Sequence, residues 1–297
     1  MTDRILEVAE TPAVIRLHLD CLLVESQKHD VQRIPIEEIG LLLLVNPQIQ
    51  ISAAALQALA KTGSAVLLCD DKYLPIAEIL PLQNHILHSE RLRKQIAVKE
   101  PLKKRLWQQI VQAKLRSQGA LLQRLRGNDF GLATMARLVR SGDPDNYESQ
   151  GARKYWGLLF ENVAFVRDRD ALDQNRFLNY GYAVLRAQVA RAICSTGLNP
   201  SLGLHHHNRY DAFPLADDLI EPFRAFVDEK VVGLLNEFDA QEKMTANIRG
   251  TLIGVLHQRV NYDGESLQLS GAILKCAQRL SAILLGEKTG RLIFPVP

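Results

Sequence analysis

The hydrophobic periodicity of the chain lengthens after Pro81. Before that residue the apolar text is short and strand-like; after it, apolar residues recur at helical spacing almost to the end. Residues 13–19 and 22–25 flank Asp20 and Cys21 as in a tight hairpin, residues 40–45 read as a buried strand, and residues 65–69 and 75–79 as further strands. One helix interrupts them, from Ser52 to about Thr62, with Gly63 as its stop. Strands first and helices afterwards fit two segregated modules better than an alternating βαβ fold. They predict an α+β chain with a small β-rich domain over residues 1–80, a linker at 81–87 and a larger all-α domain over 88–297. Helices are expected at 88–117, bent near Pro101, and at 119–126, 130–140, 147–166, 175–196, 215–237, 242–260 and 268–286.

The 297 residues, 47% of them hydrophobic and 23% charged, suffice for one large or two ordinary domains. No apolar run approaches a membrane span, and the N-terminus lacks the charged and then apolar regions of a signal peptide, so a cytoplasmic protein with no membrane association is expected. Cys21, Cys69, Cys194 and Cys276 are scattered without C-x-x-C pairing and read as neutral thiols in a reducing compartment.

The net charge of +3 hides a segregation. Residues 88–140 carry 13 Lys/Arg against 3 Asp/Glu, while residues 1–87 carry 6 against 11. Arg91, Arg93, Lys94, Lys99, Lys103, Lys104, Arg105, Lys114, Arg116, Arg124 and Arg126 supply most of the basic stretch. A solvated helix face usually mixes signs, so the near absence of acids points to a polyanion such as nucleic acid.

Three separated segments carry metal-binding chemistry. Residues 141–146 are turn-forming, which puts Glu148 in the first turn of a helix, as a metal ligand or as a carboxylate stabilising the helix N-terminus. His205, His206 and His207 follow Gly197, Asn199 and Pro200 in a loop; alternate side chains there point to opposite sides, so one ligand with two bystanders is the economical reading, against a merely polar loop. Asp218 and Glu221 share a helix face, or form a capping box with Asp218 as N-cap. Two carboxylates and one imidazole with open positions suit Mn²⁺ or Mg²⁺, nitrogen favouring Mn²⁺; zinc fits less well without closely spaced paired ligands. No glycine-rich phosphate loop followed by Lys-Ser/Thr occurs, which argues against a nucleoside triphosphate.

An ordered set of motifs over about 80 residues resembles a known family. It comprises residues 146–148 (NYE), 152–156 (ARKYW), 178–182 (LNYGY), 197–200 (GLNP), 203–208 (GLHHHN) and 215–224 (LADDLIEPFR). The chain is similar to the CRISPR-associated integrase-endonuclease that inserts new spacers into CRISPR arrays, in its type II branch. The resemblance implies a β-sandwich-like N-terminal dimerisation domain and an α-helical catalytic domain. It implies a metal on the catalytic residues Glu148, His206 and Glu221, His206 being the fourth residue of a G-x-x-H pattern, with Asp218 as an accessory acid. The implied reaction is metal-dependent transesterification: a 3′-hydroxyl of a captured DNA duplex attacks the edge of a CRISPR repeat, and water in its place gives endonuclease activity. Implied partners are double-stranded DNA, a second copy of the chain, a small second adaptation protein bridging two dimers, and the type II effector nuclease. A generic metal-dependent phosphodiesterase and a DNA-bridging assembly subunit without catalysis are the competing readings.

Overall fold

The computed structural model describes residues 4–297 except 10–11, 27–29, 71–72, 74, 82–84, 161–164 and 169. Part of the linker expected at 81–87, and the N-terminal tripeptide before Arg4, therefore lie outside the described residues.

Two four-stranded sheets form the N-terminal part. The first sets β1 (Arg4–Val8), β5 (Ile39–Leu44), β7 (Ala65–Cys69) and β8 (Pro75–Ile79) side by side in that order, parallel except for β7 with β8. The second runs β4 (Gln32–Pro35), β3 (Cys21–Ser26), β2 (Ala13–His18), β6 (Gln50–Ile51). Between β6 and β7 lies α1 (Ala53–Thr62), capped by the Ser52 hydroxyl on the Ala55 amide and ended by Gly63 at φ 79°. Strand alternation explains the leucine run of β5. Leu42 and Leu44 face the second sheet and α1, with Ile15, Leu22, Ile34 and Leu59; Leu41 and Leu43 face the helices. A strand buried on both faces has no polar positions to alternate with.

The helical part comprises α2 (His88–Ile96), α3 (Glu100–Arg126), α4 (Leu132–Leu138), α5 (Tyr147–Leu159), α6 (Asn175–Ser195), α7 (Pro214–Ile220), α8 (Arg224–Leu235), α9 (Ala246–Ile253) and α10 (Leu269–Leu284). Several boundaries differ from expectation. The 88–117 helix is not bent but broken at residues 97–99: Lys99 is extended, the backbone conformation of an N-cap, and Pro101 sits in the first turn of α3, where its missing amide costs nothing. No break separates 117 from 119; α3 continues through Gly119 to Arg126. The helix expected at 215–237 is interrupted by a 3-10 turn, Glu221–Phe223, where Pro222 removes an amide. Helix α5 stops at Leu159, short of 166. In place of a helix to 260, α9 is followed by a hairpin of β9 (Arg259–Tyr262) and β10 (Glu265–Gln268), so the second part is helical with one small β-ribbon.

The two parts share a core. Glu7 of β1 accepts from Tyr180 Oη at 2.8 Å and Arg249 Nε at 2.7 Å, and Arg191 Nε reaches the Gly63 carbonyl at 2.8 Å. The C-terminal tail packs on its own chain: the Leu292 amide donates to Gln109 Oε1, and Phe294 meets Phe223 edge-on at 5.7 Å. All four cysteines are unpaired, and burial pushes Cys69 and Cys194 up to about 12, as neutral thiols. No helix among the described residues is long and apolar enough to cross a membrane.

Candidate metal and nucleic-acid site

Helix α3 is the spine of the site. Its buried face carries Leu106, Trp107, Ile110, Val111, Leu115, Gln118, Leu121 and Leu122, and at Lys114 that apolar stripe contains an ammonium only 6% exposed. A buried cation requires partners. Lys114 Nζ pairs with Glu148 Oε1 of α5 and, at 2.5 Å, with Glu221 Oε2 of the 3-10 turn.

Local chemistry brings each carboxylate there. Helix α5 starts from Asn146, whose side chain accepts the Ser149 amide, while Asp143 accepts the amides of Tyr147 and Glu148 at 3.0 and 2.9 Å. The helix N-terminus is thus satisfied by Asp143 and Asn146, and the Glu148 side chain is not needed for that task. One turn on, Gly151 lets α5 approach α3: a Cβ there would lie 2.1 Å from Leu115 Cδ2. Glu221 is turned by Pro222 and fixed through Oε1 by Arg224 Nε at 3.0 Å. Burial alone would raise the Glu221 carboxyl, but Arg224 and Lys114 outweigh it and hold it at about 2. Burial likewise works against the Lys114 ammonium, and the two glutamates more than offset it, raising its pKa.

Of the three histidines, His206 has its ring held by a carboxylate and His205 has its ring stacked on an indole. Asp218, wholly buried in α7, accepts the backbone amides of Leu204 and His205 on Oδ2 at 2.6 and 3.1 Å, and that of His206 on Oδ1 at 3.2 Å. It also holds His206 Nδ1 at 2.7 Å, which raises the imidazole pKa against burial and leaves Nε2 for another partner. Asp218 is not a helix N-cap, so the capping box does not form; α7 begins at Pro214 after Phe213. His205 lies flat on Trp107, centroids 4.2 Å apart and planes 1° apart, while the residue itself stays exposed, and partial desolvation lowers its pKa. Gly203 is required because a Cβ would fall 2.6 Å from the His206 carbonyl oxygen.

His206 and Glu221 line one cleft of about 820 Å³ with Tyr182, Arg167, Arg186 and Arg224. Arg224 lies over the Tyr182 ring at 4.6 Å, and the Tyr182 and Tyr155 hydroxyls donate to Asp228 beneath it. Arg186 is held by Asp217 at 2.6 Å and Asp211 at 2.9 Å. Glu148 and Glu221 are therefore joined through Lys114, and His206 faces Glu221 closely enough for each charge to act on the other. Among the described residues no three His, Cys, Asp or Glu side chains form a ready cluster for an ion. The donor chemistry nonetheless fits a hard or borderline divalent cation: two carboxylates already converge on one cationic atom, beside an imidazole whose tautomer is set.

Sequence reasoning placed Lys114 among surface basic residues and missed its role, as it missed Arg224, Trp107 and the organising function of Asp218. Lys114 had a readable signal, a lysine on the apolar stripe of its helix. The basic stretch is also not one solvated face. Arg126 donates to the carbonyls of Leu158 and Leu159 and Arg91 to that of Thr196, whereas Arg93, Lys99, Lys104, Arg105 and Arg116 remain exposed.

A sequence-family model described as "CRISPR associated protein Cas1" matches residues 6–259. The CRISPR-associated endonuclease Cas1 of Neisseria meningitidis serogroup C (strain 8013) is 36% identical over 276 residues, covering 92% of this chain and 90% of that protein. Among solved structures, a casposase bound to integration product is similar with a TM-score of 0.79 at 21% identity, covering 97% of this chain and 92% of that one. A chain of a Cas6-RT-Cas1 and Cas2 complex is similar with a TM-score of 0.77 at 17% identity, covering 98% of this chain and 36% of that larger one. At those identities the structural likeness establishes the fold.

Proposed function

The chain belongs to the Cas1 family of CRISPR-associated proteins, and from that we propose that it is a metal-dependent DNA endonuclease and transesterase that inserts short duplex spacers at the repeat edge of a CRISPR array, in a type II system. One observation carries the reading: Glu148 and Glu221, from separate helical segments, converge on a single buried cation beside a cleft lined by His206 and three arginines.

Glu148, His206 and Glu221 would hold Mn²⁺ or Mg²⁺. Such an ion, when bound, polarises the scissile phosphate and lowers the pKa of the attacking hydroxyl. The chain's own residues supply the rest. Asp218 keeps His206 in one orientation, Arg224 fixes Glu221 and presents its guanidinium to the cleft, and Arg167, bonded to the neutral side chains of Asn175 and Asn179, adds positive charge for phosphate oxygens. A spacer 3′-oxygen attacks phosphorus at the repeat edge; the new P–O bond forms as the existing P–O3′ bond breaks, and the departing 3′-oxygen takes a proton. With water as nucleophile the same displacement is hydrolysis.

Exposed basic residues of α2 and α3 are the surface proposed for duplex DNA. The outer strand β8, with Ile76 69% exposed, is the edge proposed for homodimer contact. A small second adaptation protein bridging two dimers is the proposed assembly partner, a reading supported by the Cas2-containing complex of similar fold, and the type II effector nuclease is a further one.

The test combines protein, adaptation partner, a short duplex and a repeat-containing plasmid, with Mn²⁺ or with chelator. Metal-dependent joining that disappears in Glu148→Ala supports the proposal. Joining that persists in that variant removes Glu148 from the mechanism, and DNA binding without joining favours a non-catalytic assembly subunit.

A further inference from the structure

Glu221 has both oxygens engaged by cations, Oε1 by Arg224 and Oε2 by Lys114, and Lys114 also holds Glu148. The two carboxylates carry two negative charges; the two cations in contact with them carry two positive charges. Asp218 is set apart from this pair: three backbone amides and His206 engage its oxygens, which stabilises its charge without cancelling it. The pair proposed to ligate a divalent ion is thus already neutralised by residues of the chain. An ion arriving alone would add two uncompensated positive charges next to a buried ammonium, in a region of low dielectric where charges interact strongly. A phosphodiester in the adjoining cleft would supply the missing negative charge.

On the metal-centre reading proposed above, we infer that this site takes its divalent cation cooperatively with a phosphodiester anion, and that Lys114, with Arg224, imposes the coupling by keeping the carboxylate pair electrically balanced. The free protein binds the ion weakly, and a DNA duplex raises its affinity. By thermodynamic reciprocity the ion raises the affinity for DNA by the same factor. The arrangement restrains hydrolysis in the absence of a correctly seated strand, since the ion is not firmly held until a phosphate accompanies it.

Electron paramagnetic resonance of free Mn²⁺ tests this, in titrations of the full-length protein with and without a duplex carrying dideoxy 3′ ends, so that no joining occurs. The duplex's own Mn²⁺ binding is measured without protein and subtracted. Lys114→Gln and Arg224→Gln each remove one positive charge, and each is expected to bind Mn²⁺ alone at least about tenfold tighter than the wild type. Both are expected to gain less from the duplex than the wild type does. Lys114→Arg keeps the charge and is expected to keep the wild-type dependence on DNA. Thermal melting identifies any variant that fails to fold, and Arg224→Gln with Lys114→Arg carries the test should Lys114→Gln do so. Equal Mn²⁺ affinity in wild type and charge-removed variants, or equal tightening by the duplex, overturns the inference. His206→Ala separates it from its premise. If that variant binds Mn²⁺ as the wild type does, the metal centre itself is misassigned. If it binds more weakly while the coupling ignores Lys114 and Arg224, only the inference falls.

Discussion

His206 Nδ1 lies 2.7 Å from Asp218 Oδ1, and the carboxylate that orients this ring also holds the backbone of the loop that carries it. Asp218→Asn replaces one acceptor oxygen with a donor facing donors, at a site with no solvent. The expected loss of stability is about 3 kcal/mol, from buried amides left without an acceptor, and joining is expected to fall roughly 10–100-fold as the imidazole loses its orientation. The bond to Asp218 raises the folded-state pKa of His206, so its stabilisation is complete below the unfolded value near 6.5 and is lost as pH rises through the folded one. The stability gap between wild type and Asp218→Asn should therefore widen from pH 8 to pH 6 in urea unfolding. A variant as stable as the wild type at both pH values would show that the carboxylate does not organise the loop.

The three adjacent histidines should separate in function. His206→Ala is expected to abolish joining. His205→Ala removes the ring stacked on Trp107, which should cost about 1 kcal/mol and lower the joining rate by loosening the neighbouring imidazole. His207 is exposed, and His207→Ala should join at the wild-type rate. Measuring kcat for all three under saturating DNA gives the order directly; comparable losses in the 205 and 206 variants would mean that the stack, not Asp218, sets the site.

Much of this architecture was readable because hydrophobic period is a direct consequence of which faces are buried. The change at Pro81, the helix after Ser52 and the strand of residues 40–45 all carry that signal. Two features were present in the sequence and outweighed. Asp263-Gly264 is a hairpin dipeptide, and both residues have positive φ, but the helical spacing upstream absorbed it. Lys114 stood on an apolar stripe yet was counted with its basic neighbours. The meeting of Glu148 with Glu221 had no local signal. It depends on Gly151 passing close to Leu115, a product of tertiary packing, as well as on the local capping of α5 by Asp143.

The hairpin between β2 and β3 turns through Leu19 and Asp20, at φ 46° and 57°, with His18 opposite Cys21. Such two-residue turns favour Asn-Gly, because both positions are left-handed and a leucine there is strained. Leu19 is 78% exposed and loses no burial on replacement. The double substitution Leu19→Asn, Asp20→Gly should raise stability by about 1 kcal/mol without altering joining. An unchanged or lowered melting temperature would argue against a strained turn.

Asp228 should give the protein a pH-dependent stability that one substitution removes. The carboxylate is 1% exposed, and burial pushes it up to about 6 although the hydroxyls of Tyr182 and Tyr155 donate to it. Its unfolded value is about 3.9, so between roughly pH 4 and pH 6 the folded state binds the proton more tightly than the unfolded chain does. Stability from this group consequently rises as pH falls through 6, and the cost of the buried charge is constant above it. Glu221, held at about 2, acts in the opposite sense and only at lower pH, where its stabilisation is lost. Comparing wild type with Asp228→Asn in urea at pH 4.5 to 7.5 cancels every other titration. The variant should gain relative to the wild type by about 2 kcal/mol as pH rises across this window, less any cost of rearranging the two tyrosine hydrogen bonds. A difference that stays flat across this range would mean that Asp228 is ionised throughout, and that the tyrosines beneath Arg224 fully compensate its charge.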